Sequence, residues 1–370
     1  MSNNVLFIHH VSFMGGAERY LLSLVEILDR KYKVFFICQE PGPLSEAMKN
    51  LGVSVHFMPL RAWRKFRYAI ANLFTLKSIL DFCKSHDIHL ICSNNYRVTS
   101  YAIWPAKVLR IPVITIIQDF VSRSKLRKFN TFHSDYLITV SESITHSVCQ
   151  YFRKGITRIY NGIDADAFIN ALQPGEVLKK EFPALEGKRI VGMIAQVVPL
   201  KGHKVFLEAM RVIAQEFDDV MFVIIGDSPD EGQLSLKDIK AYAQEFQISD
   251  RVICTGTRKD AHSLLKSFDI LVHPAYKEPF GRVIMEAMVL SVPVVATDSG
   301  GPGEIIEDGH SGIVVPVGDT RAIGDAVKRL LSMKQMRLFM GINGRKRIEQ
   351  FNLKNTVMNI NAFFDKILKS

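Results

Sequence analysis

The chain of 370 residues is 48% hydrophobic and 23% charged, with apolar content for two cores and more length than one core usually fills. Its five cysteines, Cys38, Cys83, Cys92, Cys149 and Cys254, show neither a Cys-x-x-Cys pair nor His/Cys ligand spacing, which argues against a disulfide framework or zinc site and for a reducing, cytosolic setting. The net charge of +10 is lopsided, because residues 1–168 hold 21 Lys and Arg against 12 Asp and Glu; such a half suits anionic lipid or a phosphorylated substrate better than nucleic acid, for which no binding module is recognisable.

In chain order, short β-branched runs at 5–10, 34–39, 53–57, 89–93, 113–118 and 136–140 predict strands, and the segments 17–29, 66–84 and 97–109 between them predict helices. The first run is too short for a signal peptide, and no run of about 18 apolar residues would span a bilayer, so the chain is expected not to be integral to a membrane. The rhythm breaks after Asn161-Gly162, and the stretch holding Pro174, Gly175, Pro183 and Gly187 reads as an interdomain connection. It resumes with strands at 190–195, 220–225, 251–254, 270–273, 292–296 and 312–315, and with helices starting near Lys201, Leu236, Asp260, Gly281 and Thr320. Such alternation predicts parallel sheets covered on both faces. The expected units are 1–168, 169–352 and a last helix at 353–370.

The most informative stretch is Glu278-Pro-Phe-Gly-Arg-Val-Ile-Met-Glu286. Gly281 frees the backbone, and Val283, Ile284, Met285, Ala287 and Met288 read as a buried helix. Glu278 then precedes the helix and Glu286 lies about one and a half turns into it. Between them sit free backbone N–H groups of a helix N-terminus, which favour phosphate. Two acceptor carboxylates around a phosphate-binding turn suit a ligand with hydroxyls on either side of a phosphate group, the layout of a nucleotide-sugar. Each glutamate taken alone reads equally as a surface carboxylate.

This stretch resembles the Glu-x7-Glu signature of retaining nucleotide-sugar glycosyltransferases, particularly glycosyltransferase family 4. The resemblance continues in Ser291-Val-Pro-Val-Val-Ala-Thr-Asp-Ser-Gly-Gly-Pro-Gly-Glu304, in Asp308-Gly309 and Gly312-Ile-Val-Val-Pro316, and upstream in Met14-Gly-Gly-Ala-Glu18, Tyr160-Asn-Gly-Ile-Asp164, Pro199-Leu-Lys-Gly202, Ile225-Gly-Asp227 and Val252-Ile-Cys-Thr-Gly256. It implies the GT-B fold, two Rossmann-like doubly wound α/β domains facing a cleft, with the last helix crossing back to the first domain and ligand at the carboxyl ends of the strands. It also implies that Glu278 holds sugar hydroxyls near the anomeric centre, that Glu286 holds both ribose hydroxyls, one per oxygen, and that Lys201 neutralises the donor diphosphate. Gly15 and Gly16 become a loop near donor phosphate and acceptor; Gly256, Phe280 and Val283 fall within donor-binding motifs.

Two positions depart from the family pattern. Gln196 stands where an arginine usually assists Lys201, so leaving-group charge must rest on Lys201, on backbone N–H groups near Gly281 and Arg282, or on another cation, with Arg258 and Arg282 as candidates. Gln118 stands where a histidine often precedes Asp119. Gln118 cannot shuttle protons, though its carbonyl, amide or backbone can position the sugar; Asp119 contacts the acceptor hydroxyl or caps the next turn.

The segment Arg61-Ala-Trp-Arg-Lys-Phe-Arg-Tyr68 interleaves cations with aromatics, as a helix at a lipid interface does. Its continuation, with Leu73, Leu76 and Leu80, reads as core. Arg123-Ser-Lys-Leu-Arg-Lys128 adds positive charge near the expected acceptor side. These readings converge on a retaining, metal-independent glycosyltransferase, with no cofactor beyond its donor substrate. It would move a sugar from a nucleotide diphosphate sugar to a glycan or lipid-linked acceptor in polysaccharide or glycolipid synthesis, and would be cytoplasmic or peripheral at the inner membrane face. A nucleotide-sugar epimerase and a catalytically impaired donor-binding subunit remain alternatives.

Overall fold

A computed structural model describes residues 3–28, 30–61, 66–152, 155–173, 177–228 and 234–369. The chain divides into two compact units, Met1–Gly162 with Leu353–Ser370, and Ile163–Asn352.

The first unit holds seven parallel strands, β1 (Asn3–Ile8), β2 (Tyr32–Cys38), β3 (Ser54–Phe57), β4 (Ile88–Ser93), β5 (Val113–Ile117), β6 (Tyr136–Thr139) and β7 (Gly155–Arg158), in the order β3-β2-β1-β4-β5-β6-β7. Val5, Leu6, Phe7 and Ile8 of β1 are all fully buried, as expected for a strand covered on both faces, where both sets of side chains enter a core. Val5 pairs with Val34 on one side and Leu90 on the other. The Leu353–Leu368 helix belongs to this unit: it buries Ile360 and Phe364 and is tied down where Lys31 Nζ meets Asp365 Oδ2 at 2.7 Å. Tyr32 also bonds Asp365 and lies edge-on to Phe364.

The second unit holds six parallel strands, β8 (Arg189–Ile194), β9 (Val220–Ile225), β10 (Val252–Cys254), β11 (Ile270–His273), β12 (Val294–Thr297) and β13 (Ile313–Val315), in the order β10-β9-β8-β11-β12-β13. In both sheets the strand order reverses once, between β1 and β4 and between β8 and β11. The Thr320–Ser332 helix shows how sequence sets an element here. Asp319 Oδ1 caps it by accepting the Ala322 N–H at 2.9 Å, and Ile323, Val327, Leu330 and Leu331, at helical spacing, bury against the Val205–Ile213 core face.

Several expectations change. The first unit ends at Gly162, not 168, and the stretch expected to be the connection lies within the second unit, where Leu178 and Leu185 are fully buried; Pro174 and Gly175 lie outside the described residues. The chain leaves the first unit beside its own return: a Cβ on Gly162 would meet Leu353 Cα at 2.5 Å, so only glycine fits there. Edge strand β7 and the Lys334–Arg347 helix were not foreseen. The first has no apolar run, and the second carries Gly341 and Gly344, poor helix formers, because its backbone packs close; a Cβ on Gly341 would meet Ser291 O at 2.2 Å. The basic aromatic stretch is not one helix. Phe66–Tyr68 is a 3-10 turn and Ala69–Ser85 is the helix, while Trp63, Arg64 and Lys65 lie outside the described residues. Leu76 and Leu80 are buried as expected, but Leu73 is 66% exposed beside Ile70 and Phe74.

Candidate functional site

At the carboxyl edge of the second sheet, loops from three strands interlock. After β8 comes the 3-10 turn Pro199–Lys201, then the His203–Glu216 helix. Lys201 thus ends a turn instead of opening a helix. Gly202 joins the two at φ 75°, and a Cβ there would strike Pro274 O at 2.1 Å, which fixes the β8 and β11 loops against each other. After β11 the chain reaches Glu278, whose backbone is clamped by the glycine turn after β12: Glu278 N–H donates to Ser299 O at 3.1 Å, and Gly301 N–H donates to Glu278 O at 2.9 Å. Gly301 must be glycine because a Cβ would lie 2.2 Å from the Phe280 backbone.

The Glu278 side chain is nearly buried. Its Oε2 accepts from Lys201 Nζ at 2.6 Å and lies 3.0 Å from His273 Nε2, and its Oε1 takes the Phe280 N–H at 3.4 Å. Burial works to raise this carboxyl, but Lys201 and His273 outweigh it and hold it far below the usual carboxylate range. Glu286, 5% exposed, is also not solvent-facing. Its Oε1 accepts from Arg282 Nε at 3.1 Å and lies 3.4 Å from His262 Nε2. Burial again opposes ionisation, and His262 and Arg282 again override it.

Between these carboxylates lies the N-terminus of the Arg282–Val289 helix. Gly281, at φ 110°, precedes it and provides no side-chain cap. The N–H groups of Ile284 and Met285 both turn back to the Gly281 carbonyl, at 3.0 and 3.3 Å, so the N–H groups of Arg282 and half-buried Val283 are the helix donors left for a ligand. Phe280 is buried edge-on to Phe351.

The other candidates separate clearly. Arg258 stands in an ion-pair cluster: Asp260 accepts from its Nε and Nη2 at 2.8 and 2.9 Å, and Glu181 accepts from its Nη1 at 2.6 Å, so meeting a diphosphate would require exchanging these partners. Arg282 is committed to Glu286, one turn along the same helix. Gln196 is exposed after β8, and Gly256, at φ 72°, follows β10 with its carbonyl accepting from Gly226 N–H at 2.9 Å. Two histidines missed from sequence hold the carboxylates. His273 ends β11, five residues before Glu278, and that strand position was the available signal; His262 had none. His203, 1% exposed, begins the helix after Lys201, and neither ring nitrogen has a partner among the described residues; burial, with Lys201 and His273 nearby, pushes it down to about 4.

The first sheet presents different chemistry at its carboxyl edge. Gly15 precedes the Gly16–Ile27 helix and donates its N–H to Glu18 Oε2 at 3.1 Å. A Cβ on Gly15 would lie 2.7 Å from that oxygen, whereas one on Gly16 would meet nothing within 4 Å. Gln118 and exposed Asp119 follow β5. Asp119 does not cap the next helix, Arg123–Lys128, whose cap is Ser122. A cavity of about 400 Å³ lined by Ile103, Lys107, Arg110 and His133 lies at the opposite, amino-terminal ends of β5 and β6, away from all these groups.

The family model for glycosyl transferases group 1 matches residues 176–347, and that for Glycosyltransferase Family 4 matches residues 14–167. This chain is a GT-B glycosyltransferase resembling family 4. The glycosyltransferase is 28% identical over 259 residues, 69% of its length, to the N-acetyl-alpha-D-glucosaminyl L-malate synthase of Bacillus anthracis, and that match spans 66% of the relative. It is 22% identical to the UDP-Gal:alpha-D-GlcNAc-diphosphoundecaprenol alpha-1,3-galactosyltransferase of Escherichia coli, with 96% of each chain covered. Among solved structures, Anabaena HepE in complex with UDP and glucose matches with a TM-score of 0.85 over 98% of this chain and 100% of that one; at 21% identity this likeness is one of fold.

Proposed function

We propose that the glycosyltransferase moves a sugar, with retained anomeric configuration and without a metal, from a nucleotide diphosphate sugar to a hydroxyl of a glycan or lipid-linked glycan in polysaccharide or glycolipid synthesis. One observation carries this: two buried, ionised carboxylates, Glu278 and Glu286, flank an uncapped helix N-terminus, and the first is paired to Lys201. The helix N–H groups and Lys201 meet the diphosphate, Glu286 takes the ribose hydroxyls and Glu278 the sugar. In the reaction the C1–O bond to phosphate breaks as the acceptor oxygen bonds to C1 on the same face, and the acceptor proton passes to the departing phosphate oxygen. Lys201 and the helix dipole stabilise the charge that develops there. His273 keeps Glu278 oriented while Lys201 turns to the phosphate. Gln118 contacts the transferred sugar, and Asp119 contacts the acceptor hydroxyl.

The relatives support this donor class by their printed activities, which include a galactosyl transfer from UDP-Gal to a diphosphoundecaprenol-linked sugar. An anionic lipid surface as the place of work is supported by the Ala69–Ser85 helix, where Ile70, Leu73 and Phe74 are 73%, 66% and 69% exposed in one stripe next to exposed Arg61 and Arg67. Among the described residues no helix is long and apolar enough to cross a membrane, and the proposed location is cytoplasmic, peripheral on the inner membrane face.

The test is a panel of nucleotide-sugars with lipid-linked and glycan acceptors, read as nucleoside diphosphate release and, by NMR, as the anomeric configuration of product, with and without chelator. An inverted product or chelator-sensitive turnover overturns the mechanism. A changed sugar without acceptor indicates an epimerase. Binding without turnover indicates a donor-binding subunit, the reading that neutral Gln118 and Gln196 favour second. Pelleting with anionic but not neutral vesicles, lost on reversing Arg64, Lys65 and Arg67, tests the lipid surface.

A further inference from the structure

Four side chains form an unbroken line of hydrogen bonds along the carboxyl edge of the first sheet. Glu18 Oε1 meets His9 Nε2 at 2.8 Å, His9 Nδ1 meets Asn94 Nδ2 at 3.4 Å, and Asn94 Oδ1 meets Gln118 Nε2 at 3.1 Å. Glu18 lies in the first turn of the Gly16–Ile27 helix, and the others follow β1, β4 and β5, which are neighbours in the sheet. The line therefore crosses the point where the strand order reverses, the place where open α/β sheets bind ligands. His9, Asn94 and Glu18 are 0%, 1% and 5% exposed, and Gln118 is half-buried at the end.

The polarity of this line is set from its charged end. Burial works to raise the Glu18 carboxyl, but the hydrogen bond to His9, with backbone N–H groups, keeps it below its usual range. A carboxylate only accepts hydrogen bonds, so His9 Nε2 donates. Asn94 turns its Nδ2, which only donates, toward Nδ1, so Nδ1 is the acceptor there and Asn94 Oδ1 is left to accept from Gln118 Nε2. Gln118 is thereby held with its amide nitrogen inward. Its Oε1 makes no hydrogen bond with the described residues and is the arm left to a ligand.

We propose that Glu18, His9 and Asn94 are positioning residues that keep the Gln118 carbonyl oxygen outward, so that this position selects a substrate group with an O–H to donate, a sugar hydroxyl, and discriminates against its removal. The inference rests on the reading of Gln118 as a sugar contact. It also gives the neutral residue at 118 a function of its own, since a histidine there would not present a carbonyl.

Two measurements test it. In the full-length protein, 15N NMR of labelled histidine, with the His9 signal assigned by its loss in His9→Gln, is expected to show a proton on Nε2 and a bare Nδ1; a proton on Nδ1, alone or beside one on Nε2, overturns the relay. The donor accepted in the panel above is then compared with its monodeoxy analogues. One analogue is expected to react about tenfold more slowly than the parent, the scale of one hydrogen bond. Asn94→Leu and Gln118→Ala should bring that ratio close to one without changing the affinity for the nucleoside diphosphate alone. Asn94→Asp, which still accepts from Gln118 Nε2, should restore most of the preference. An unchanged ratio in Gln118→Ala, or equal loss in Asn94→Leu and Asn94→Asp with both folded by circular dichroism, overturns the proposal. If no nucleotide-sugar binds, the functional reading falls and takes the substrate part with it, while the His9 signal separately decides whether the relay exists.

Discussion

The carboxyl edges of the two sheets share a single reversal of strand order but partner their buried carboxylates differently. In the second unit each functional carboxylate is buried with a cation and a histidine, Glu278 with Lys201 and His273, Glu286 with Arg282 and His262. In the first unit one buried carboxylate, Glu18, holds a file of neutral groups that ends in an amide. Paired charges in a low-dielectric site hold their strength for a charged ligand, whereas an oriented amide distinguishes a donor from an acceptor. On the proposed reading the same doubly wound scaffold yields one edge for phosphate and one for hydroxyls, and the difference resides in a few residues after each strand.

The comparison breaks most readily at Lys201. Lys201→Ala removes the ammonium group paired to Glu278, and is expected to lower kcat by roughly 100- to 1,000-fold; a nearly silent substitution, measured by nucleoside diphosphate release, would move the phosphate site elsewhere. Glu278→Ala should lower kcat at saturating donor, because its partner reacts. Glu286→Ala should act mainly on KM and weaken nucleoside diphosphate binding by about tenfold in calorimetry, since a ribose contact persists through the reaction. Gly16→Ala should fold with unchanged Tm, because a Cβ there meets open space, yet lose activity if that space belongs to substrate; full activity would free the glycine loop of any role.

The smallest expected effects concern stability and the two departures. Arg258→Ala should leave nucleoside diphosphate affinity unchanged and reduce stability by about 1 kcal/mol, the upper range for a largely solvent-screened ion pair. Gln196→Arg should bind the diphosphate at least as tightly as the parent. His10 and His203 are both pushed from 6.5 down to about 4, by burial above all. The unfolded chain therefore binds more protons between these values, so Tm should fall as pH drops from 6.5 to 4, and His203→Phe should flatten that slope. For Glu278 the sign is the same but the window lies lower: its contribution is present above the unfolded carboxyl value of 4.5 and is lost only as pH falls through its much lower folded value, so the Lys201 pair should outlast the histidine effect.

Continuous apolar runs made the central strands legible, since a parallel strand buried on both faces needs no alternation. Edge strand β7 and the Lys334–Arg347 helix were not legible, because tertiary contacts and not their own patterns hold them. In the site, Glu278, Lys201 and Glu286 were readable because their spacing around glycine turns is local. Their histidine partners were harder, and the order 9, 18, 94, 118 has no spacing to read: strand order alone brings those residues together. Arg258 looked like a spare cation in sequence because Glu181 and Asp260 become its partners only in three dimensions.

The backbone clamp on Glu278 has a consequence for how the site is acquired and lost. Its N–H and C=O are bonded to residues 299 and 301, and its carboxylate to residue 201, contacts of long sequence separation that close only once β8, β11 and β12 have assembled. The charged cluster is therefore expected to form late and to open with the sheet, not ahead of it. Amide hydrogen exchange at Glu278 and Gly301 should track global unfolding, whereas the Gly15–Glu18 turn, closed by a bond across three residues, should exchange through local opening.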